Sequence, residues 1–232
     1  MRAETGRLDA LRGMAGAPRD RSASPAALRL RESALALAAA EGLGECRYTL
    51  RIVPLQKQSG GELWLEGRAL FAPRLVPASG ELTALAFAAC TVGEALEARV
   101  RSLFQARRPS LAMSLDALGN EMLGAVSRRA QDRLQGQVSR LGLTMAGELR
   151  PGDPGLGLEA HEAVLALSGG AQIGIRVYGQ GLLAPLKSVT MVLGVGRDLP
   201  EANWSRCDGC RSRDRCRWRR AAAGSAMQRL PA

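Results

Sequence analysis

Apolar side chains fall on alternate positions in Ile173-Gly174-Ile175-Arg176-Val177-Tyr178, and again in Val189-Thr190-Met191-Val192-Leu193-Gly194-Val195. That period of two predicts half-buried strands over both stretches. Pro185, which lacks an N–H and has a fixed φ, marks 183–188 as a loop between them. Upstream, 47–53 and 63–71 read as strands, with the turn signal Ser59-Gly60-Gly61 between them. Residues 82–90 are apolar without alternation, the pattern of a strand covered on both faces. A short strand is predicted within 141–149.

Helical spacing occupies the intervals. Ser24-Pro25 combines an N-cap residue with proline at the first helical position, so a helix is predicted from there to about Glu41, stopped by Gly42. Thr91 and Glu94 are spaced as a capping box for the next helix. In that helix Leu96, Val100, Leu103 and Phe104 form one stripe, with Arg99, Arg101 and Arg107 outside it. After Pro109, apolar residues recur mostly every fourth position from Leu111 to Val138, predicting one long amphipathic helix. Asp116 and Asn120 lie a turn apart on it, and a solvated face is favoured over a ligand for them. Residues 158–167 make a last helix, ended by Gly169-Gly170.

These elements predict an α+β domain in which an antiparallel or mixed sheet packs against long helices. The predicted organisation is a mobile tail over 1–23, the domain over 24–200, and a Cys/Arg-rich tail over 201–232. At 232 residues the chain is long enough to bury its own core. With 46% apolar but only 3% aromatic residues, that core is aliphatic. No stretch has the roughly 20 apolar residues of a membrane span, and the amino terminus lacks the apolar core of a signal peptide. Five cysteines, three of them clustered, fit a reducing cytoplasm better than a secreted disulfide framework.

Candidate chemistry concentrates in three places. The loop ending in Lys187 and Ser188 suits a small anionic or carboxylate-bearing ligand. The run Arg150-Pro151-Gly152-Asp153-Pro154-Gly155 is a loop of restricted backbone carrying an arginine. Cys207-x-x-Cys210, with Cys216 following, sets three soft ligands on one short segment, which zinc and an iron-sulfur cluster both accept. A fourth ligand would come from Cys46, Cys90, His161 or an external molecule, although Cys90 reads first as packing. His161, the single histidine, reads as a surface residue of a helix.

The net charge of +10 admits nucleic acid, an acidic protein or an anionic membrane surface as partner, or simply a solvated basic surface. Seven arginines between Arg206 and Arg220, interleaved with Trp204 and Trp218, support a rival reading as a zinc-stabilised nucleic-acid-binding module. The chain contains no Ser-His-Asp pattern and no phosphate loop with its lysine.

Several strings resemble the activation domain of cobalamin-dependent methionine synthase, and more closely its short stand-alone relatives that end in a cysteine cluster. They are Ala184-Pro185-Leu186-Lys187-Ser188-Val189-Thr190, Gly194-Val195-Gly196 and the three tail cysteines. Upstream, Thr91-Val92-Gly93-Glu94-Ala95-Leu96-Glu97, Leu115-Asp116-Ala117-Leu118-Gly119 and the Arg150 loop follow in that family's order, so the resemblance spans about 28–219. It implies an S-adenosylmethionine site held by Arg150, Pro154 and Gly155, with Ala184, Pro185, Lys187 and Ser188 lining the same pocket. Leu156 stands where the family usually has tyrosine. The family's carrier motif, Asp-x-His-x-x-Gly, is not matched around His161. Cobalamin is therefore implied only on a partner: a corrinoid-carrying protein with its methyltransferase subunits, served by a separate electron donor. The implied role is reactivation of that partner's corrinoid, as a component of a methyltransferase system and not a complete methionine synthase.

Overall fold

The computed structural model describes residues 3–14 and 24–200. Its centre is a five-stranded sheet in which every neighbouring pair is antiparallel. The strands are β1 (Glu4–Asp9), β2 (Glu45–Pro54), β6 (Glu81–Thr91), β10 (Ser188–Arg197) and β7 (Thr144–Leu149), in the order β1-β2-β6-β10-β7. The helices are α1 (Pro25–Ala40), α2 (Glu94–Gln105), α3 (Pro109–Arg140) and α4 (Ala160–Ser168). Short pieces complete the fold: β3 (Lys57–Ser59), β4 (Glu62–Leu65) and β5 (Arg68–Phe71) form one small sheet, β8 (Arg176–Tyr178) and β9 (Leu182–Ala184) another.

The apolar run of β6 has the predicted cause. Its alternate residues Ala84, Ala86, Ala88 and Cys90 face the core shared with α1, α2 and α3, where Met122, Val126, Ala130, Leu134 and Val138 of α3 are buried. Leu85 and Phe87 face the opposite core, with Leu63, Leu65, Leu149, Leu156 and Val164. Small residues on the helix side let α3 lie close along the strands. Gly119 lets α3 approach α2 and the loop before β10, since a Cβ there would stand 2.8 Å from Leu96 Cδ2 and 3.0 Å from Lys187 Cε.

At the start of α1, Ser24 caps the helix as predicted, accepting the Ala27 N–H at 3.2 Å. Four local expectations are corrected. Residues 4–9, expected within a mobile tail, form the edge strand β1, because Leu8 and its neighbours find a full antiparallel partner in β2. The strand expected over 63–71 is a hairpin, turned by Glu66 and Gly67, both at positive φ (48° and 74°). Of the strand expected over 173–178, only Arg176–Tyr178 is extended, since Ile173 closes a 3-10 turn (Gly170–Ile173) and Gly174 is left-handed at φ 83°. Thr91 does not cap α2: Gly93 occupies the cap position, and the Thr91 hydroxyl accepts the Gly93 N–H at 3.0 Å instead.

Candidate functional site

The loop after β7 is built by its own backbone. Asp153 accepts the Arg150 N–H through its carboxylate at 2.8 Å, and the Asp153 N–H returns to the Arg150 carbonyl at 2.8 Å. The Gly152 N–H reaches the Leu156 carbonyl at 2.8 Å, closing the turn. Leu156 is buried beside Leu149 and Val164, so it anchors the loop in the core. The Arg150 Nε–H donates to Glu148 Oε1 at 2.9 Å, while Gln131 of α3 donates to Glu148 Oε2 at 2.6 Å. This relay from α3 fixes the stem of a guanidinium whose two terminal nitrogens carry the other donors of the fork.

Opposite this loop stands α4. His161 is buried, and its Nδ1 lies 2.6 Å from the Gly181 carbonyl oxygen. A carbonyl accepts only, so Nδ1 carries the proton and Nε2 is the ring's acceptor. Burial moves the pKa of His161 downward, partly offset by the hydrogen bond to Gly181, which favours a neutral ring. The expectation of a surface histidine is thus overturned: α4 turns this residue toward the β8–β9 hairpin.

Between loop and helix lies a groove of about 390 Å³, lined by Arg150, Pro151, Gly152, Asp153, His161, Leu182, Leu183, Leu186, Ser188, Val189 and Thr190. Of the predicted site residues, Arg150 and Ser188 line it. The Ser188 hydroxyl also donates to Thr91 Oγ1 at 2.8 Å across the β10–β6 pair. Pro154 and Gly155 are exposed and do not line it; Gly155, at φ 90°, lies against the Arg74 side chain. Ala184 ends β9, paired with Arg176. Pro185 follows a cis peptide bond and lines a different cavity, of about 470 Å³, with Arg47, Gly93 and Arg176.

Lys187 turns to the helices. Its ammonium is 2.8 Å from Asp116 Oδ1 and 2.9 Å from Asn120 Oδ1, and its backbone N–H donates to Glu97 at 2.8 Å. The solvated face expected at Asp116 and Asn120 is therefore a docking point for this lysine, whose charge Asp116 balances. His161 and Thr190 were missed as site residues. For Thr190 the alternation gave no signal: it lies between the apolar positions Val189 and Met191, on the phase read as outward, whereas β10 is buried along both faces from Thr190 to Gly196.

Cys207, Cys210 and Cys216, with Trp204, Trp218 and the surrounding arginines, lie outside the described residues. Among the described residues no group of three or more His, Cys, Asp and Glu is placed to hold a metal. Cys46 and Cys90 are free and buried, and burial pushes each thiol up to about 12. Both are held as packed thiols in the helix-side core. Among the described residues no helix is long and apolar enough to cross a membrane.

Fold and groove together define a small α+β domain with a ligand-sized cleft beside the end of its sheet where β10 begins. No family model matches the sequence, and no curated protein matches it. Thirteen chains of solved structures do match the fold. One is the MetH reactivation domain, in a crystal structure with AdoHcy bound: the TM-score is 0.65 at 12% identity, over 89% of this chain and 81% of that one. The protein has the fold of that reactivation domain, which bears out the resemblance and the α+β class read from the sequence.

Proposed function

We propose that the groove binds S-adenosylmethionine and that the protein reactivates the corrinoid of a partner, as a component of a methyltransferase system of methionine synthase type. The observation that carries this reading is a convergence within a fold shared with a domain that binds AdoHcy. Arg150, in the loop after β7, and the 182–190 segment, which runs from β9 into β10, meet at one groove of about 390 Å³.

The residues present fit the ligand. Arg150 offers a fixed, permanently charged fork to the carboxylate of the amino acid portion. Leucines on the opposite wall supply apolar surface. Leu156 is committed to the core, so the aromatic contact associated with that position is not made by this residue. When bound, the sulfonium ligand would supply a methyl group to reduced cobalt held by the partner, leaving AdoHcy. This chain's part is to hold and orient the donor and to present it at the open side of the groove. The partner is a corrinoid-carrying protein with its methyltransferase subunits, and the electron comes from a separate donor protein. In this reading the chain works in the cytoplasm, and Cys207, Cys210 and Cys216 hold zinc or an iron-sulfur cluster.

Calorimetric titration with S-adenosylmethionine and AdoHcy tests the proposal. Both ligands should bind the wild-type chain, and Arg150→Ala should weaken them by about 10- to 100-fold, as expected for a lost charged hydrogen bond. Unchanged affinity would remove Arg150 from the site; a wild-type chain that binds neither ligand would end the reading.

A further inference from the structure

Lys187 stands between two residues that line the groove, Leu186 and Ser188, but does not line it itself. The β10–β6 ladder begins at Ser188, opposite Thr91, and β9 ends at Ala184. Residues 185–187 therefore cross between strands outside either ladder, and Leu186 is 68% exposed. What ties this wall of the groove down is Lys187. Its N–H donates to Glu97 Oε1 of α2 at 2.8 Å, and its carbonyl accepts the Val92 N–H at 3.0 Å. Its ammonium lies against Asp116 and Asn120 of α3.

Two of these partners are carboxylates, drawn from two helices onto a lysine that the groove does not touch. The helix α3 also leaves room for the lysine stem, since a Cβ on Gly119 would come 3.0 Å from Lys187 Cε and 3.2 Å from its Cδ. Such a pair adds little net stability, because taking two charges out of water offsets most of what their attraction returns. Its bonds are directional, however, and they fix where Leu186 and Ser188 stand. A wall fixed before the ligand arrives spares the ligand the cost of ordering it.

We infer that Glu97, Asp116 and Lys187 are positioning residues of the groove: the two carboxylates hold Lys187 from α2 and α3, and Lys187 holds the wall formed by Leu186 and Ser188. The inference rests on the S-adenosylmethionine reading above and adds the device that pre-forms one side of the site.

The test combines calorimetric titration of the full chain with AdoHcy, amide exchange of the free and loaded chain, and urea unfolding to find conditions where each variant is folded. Glu97→Ala/Lys187→Met removes the backbone acceptor and the ammonium while keeping an alkyl stem beside Gly119. In the free double variant, exchange at position 187 and at Val92 should quicken, and AdoHcy should slow it again; in wild type it should be slow in both states. AdoHcy should bind the double variant about 5- to 10-fold more weakly, the loss expected when the competent wall is populated about a tenth to a fifth of the time. Lys187→Met alone should show the same changes to a smaller degree. Glu97→Gln, which keeps an acceptor for the Lys187 N–H, should bind like wild type. A merely structural role would leave the affinity of the folded variants unchanged, and that result would overturn the inference while the broader reading stands. A wild-type chain that does not bind AdoHcy would overturn both.

Discussion

Lys187 places its ammonium 2.8 Å from the Asp116 carboxylate, joining the loop before β10 to the first turns of α3. The lysine side chain is 12% exposed and the aspartate 41%, so the pair is neither a surface contact nor a sealed one. Removing Asp116 leaves a largely buried cation with Asn120 as its remaining side-chain partner. Asp116→Ala should therefore cost about 1 to 3 kcal/mol, between the values for exposed and buried pairs. Lys187→Met keeps the alkyl chain over Gly119 and leaves a carboxylate that water can reach, so its cost should be smaller. Urea unfolding of the two variants checks the order, and the reverse order would count against the burial argument.

Leu156 ties the Arg150 loop to the core. Leu156→Ala removes a buried side chain and should cost about 2 to 4 kcal/mol of stability. Because the Gly152 N–H closes on the Leu156 carbonyl, the same variant should loosen the segment that carries Arg150. Faster amide exchange at 150–156, measured at a temperature where the variant is still folded, is the expected outcome. Exchange unchanged from wild type would show that the loop holds itself.

The buried thiols set an alkaline limit. Burial is the main cause that moves both Cys46 and Cys90 from 9.0 to about 12; nearby Asp9 and Glu45 add to it at Cys46, while Arg150 opposes it at Cys90. The folded chain thus binds these protons more tightly than the unfolded chain. Their contribution is fully present below pH 9 and is lost as pH rises through about 12. Urea midpoints of wild type should fall over that interval, and a Cys46→Ala/Cys90→Ala variant should fall less steeply. Parallel curves would mean that the thiols ionise as readily in the fold as outside it.

The three tail cysteines carry a separate prediction. Chain purified without oxygen should contain zinc, or iron with acid-labile sulfide, and Cys210→Ser should lose most of it, because two remaining thiolates make a poor site for either. Elemental analysis decides this. Wild-type chain free of both metals would remove the metal set.

Much of the fold was legible because burial on one side of an element leaves a period in the chain. Residues 82–90 lack alternation since both faces of β6 are covered, and α3 shows its spacing from Leu111 to Val138 since one face meets the sheet throughout. The Ser24 cap is likewise a local matter, a side chain bonding a backbone group three residues away. The failures share the opposite character. The strand expected over 63–71 is broken by Glu66 and Gly67 at positive φ, and the buried positions change phase across them, from Leu63 and Leu65 to Leu70.

The sequence by itself determined most of the helices and long strands, the aliphatic core and the presence of Arg150 in a loop of restricted backbone. Tertiary structure decided which of these residues meet. It is the insertion of β10 between β6 and β7 that brings Thr190 and Ser188 to the loop after Leu149. The same arrangement buries His161 against Gly181 and sends Lys187 to Asp116. Periodicity records how deeply a face is buried, but not against what. Partners far apart in the chain are chosen by strand order and packing, and no local pattern encodes that choice.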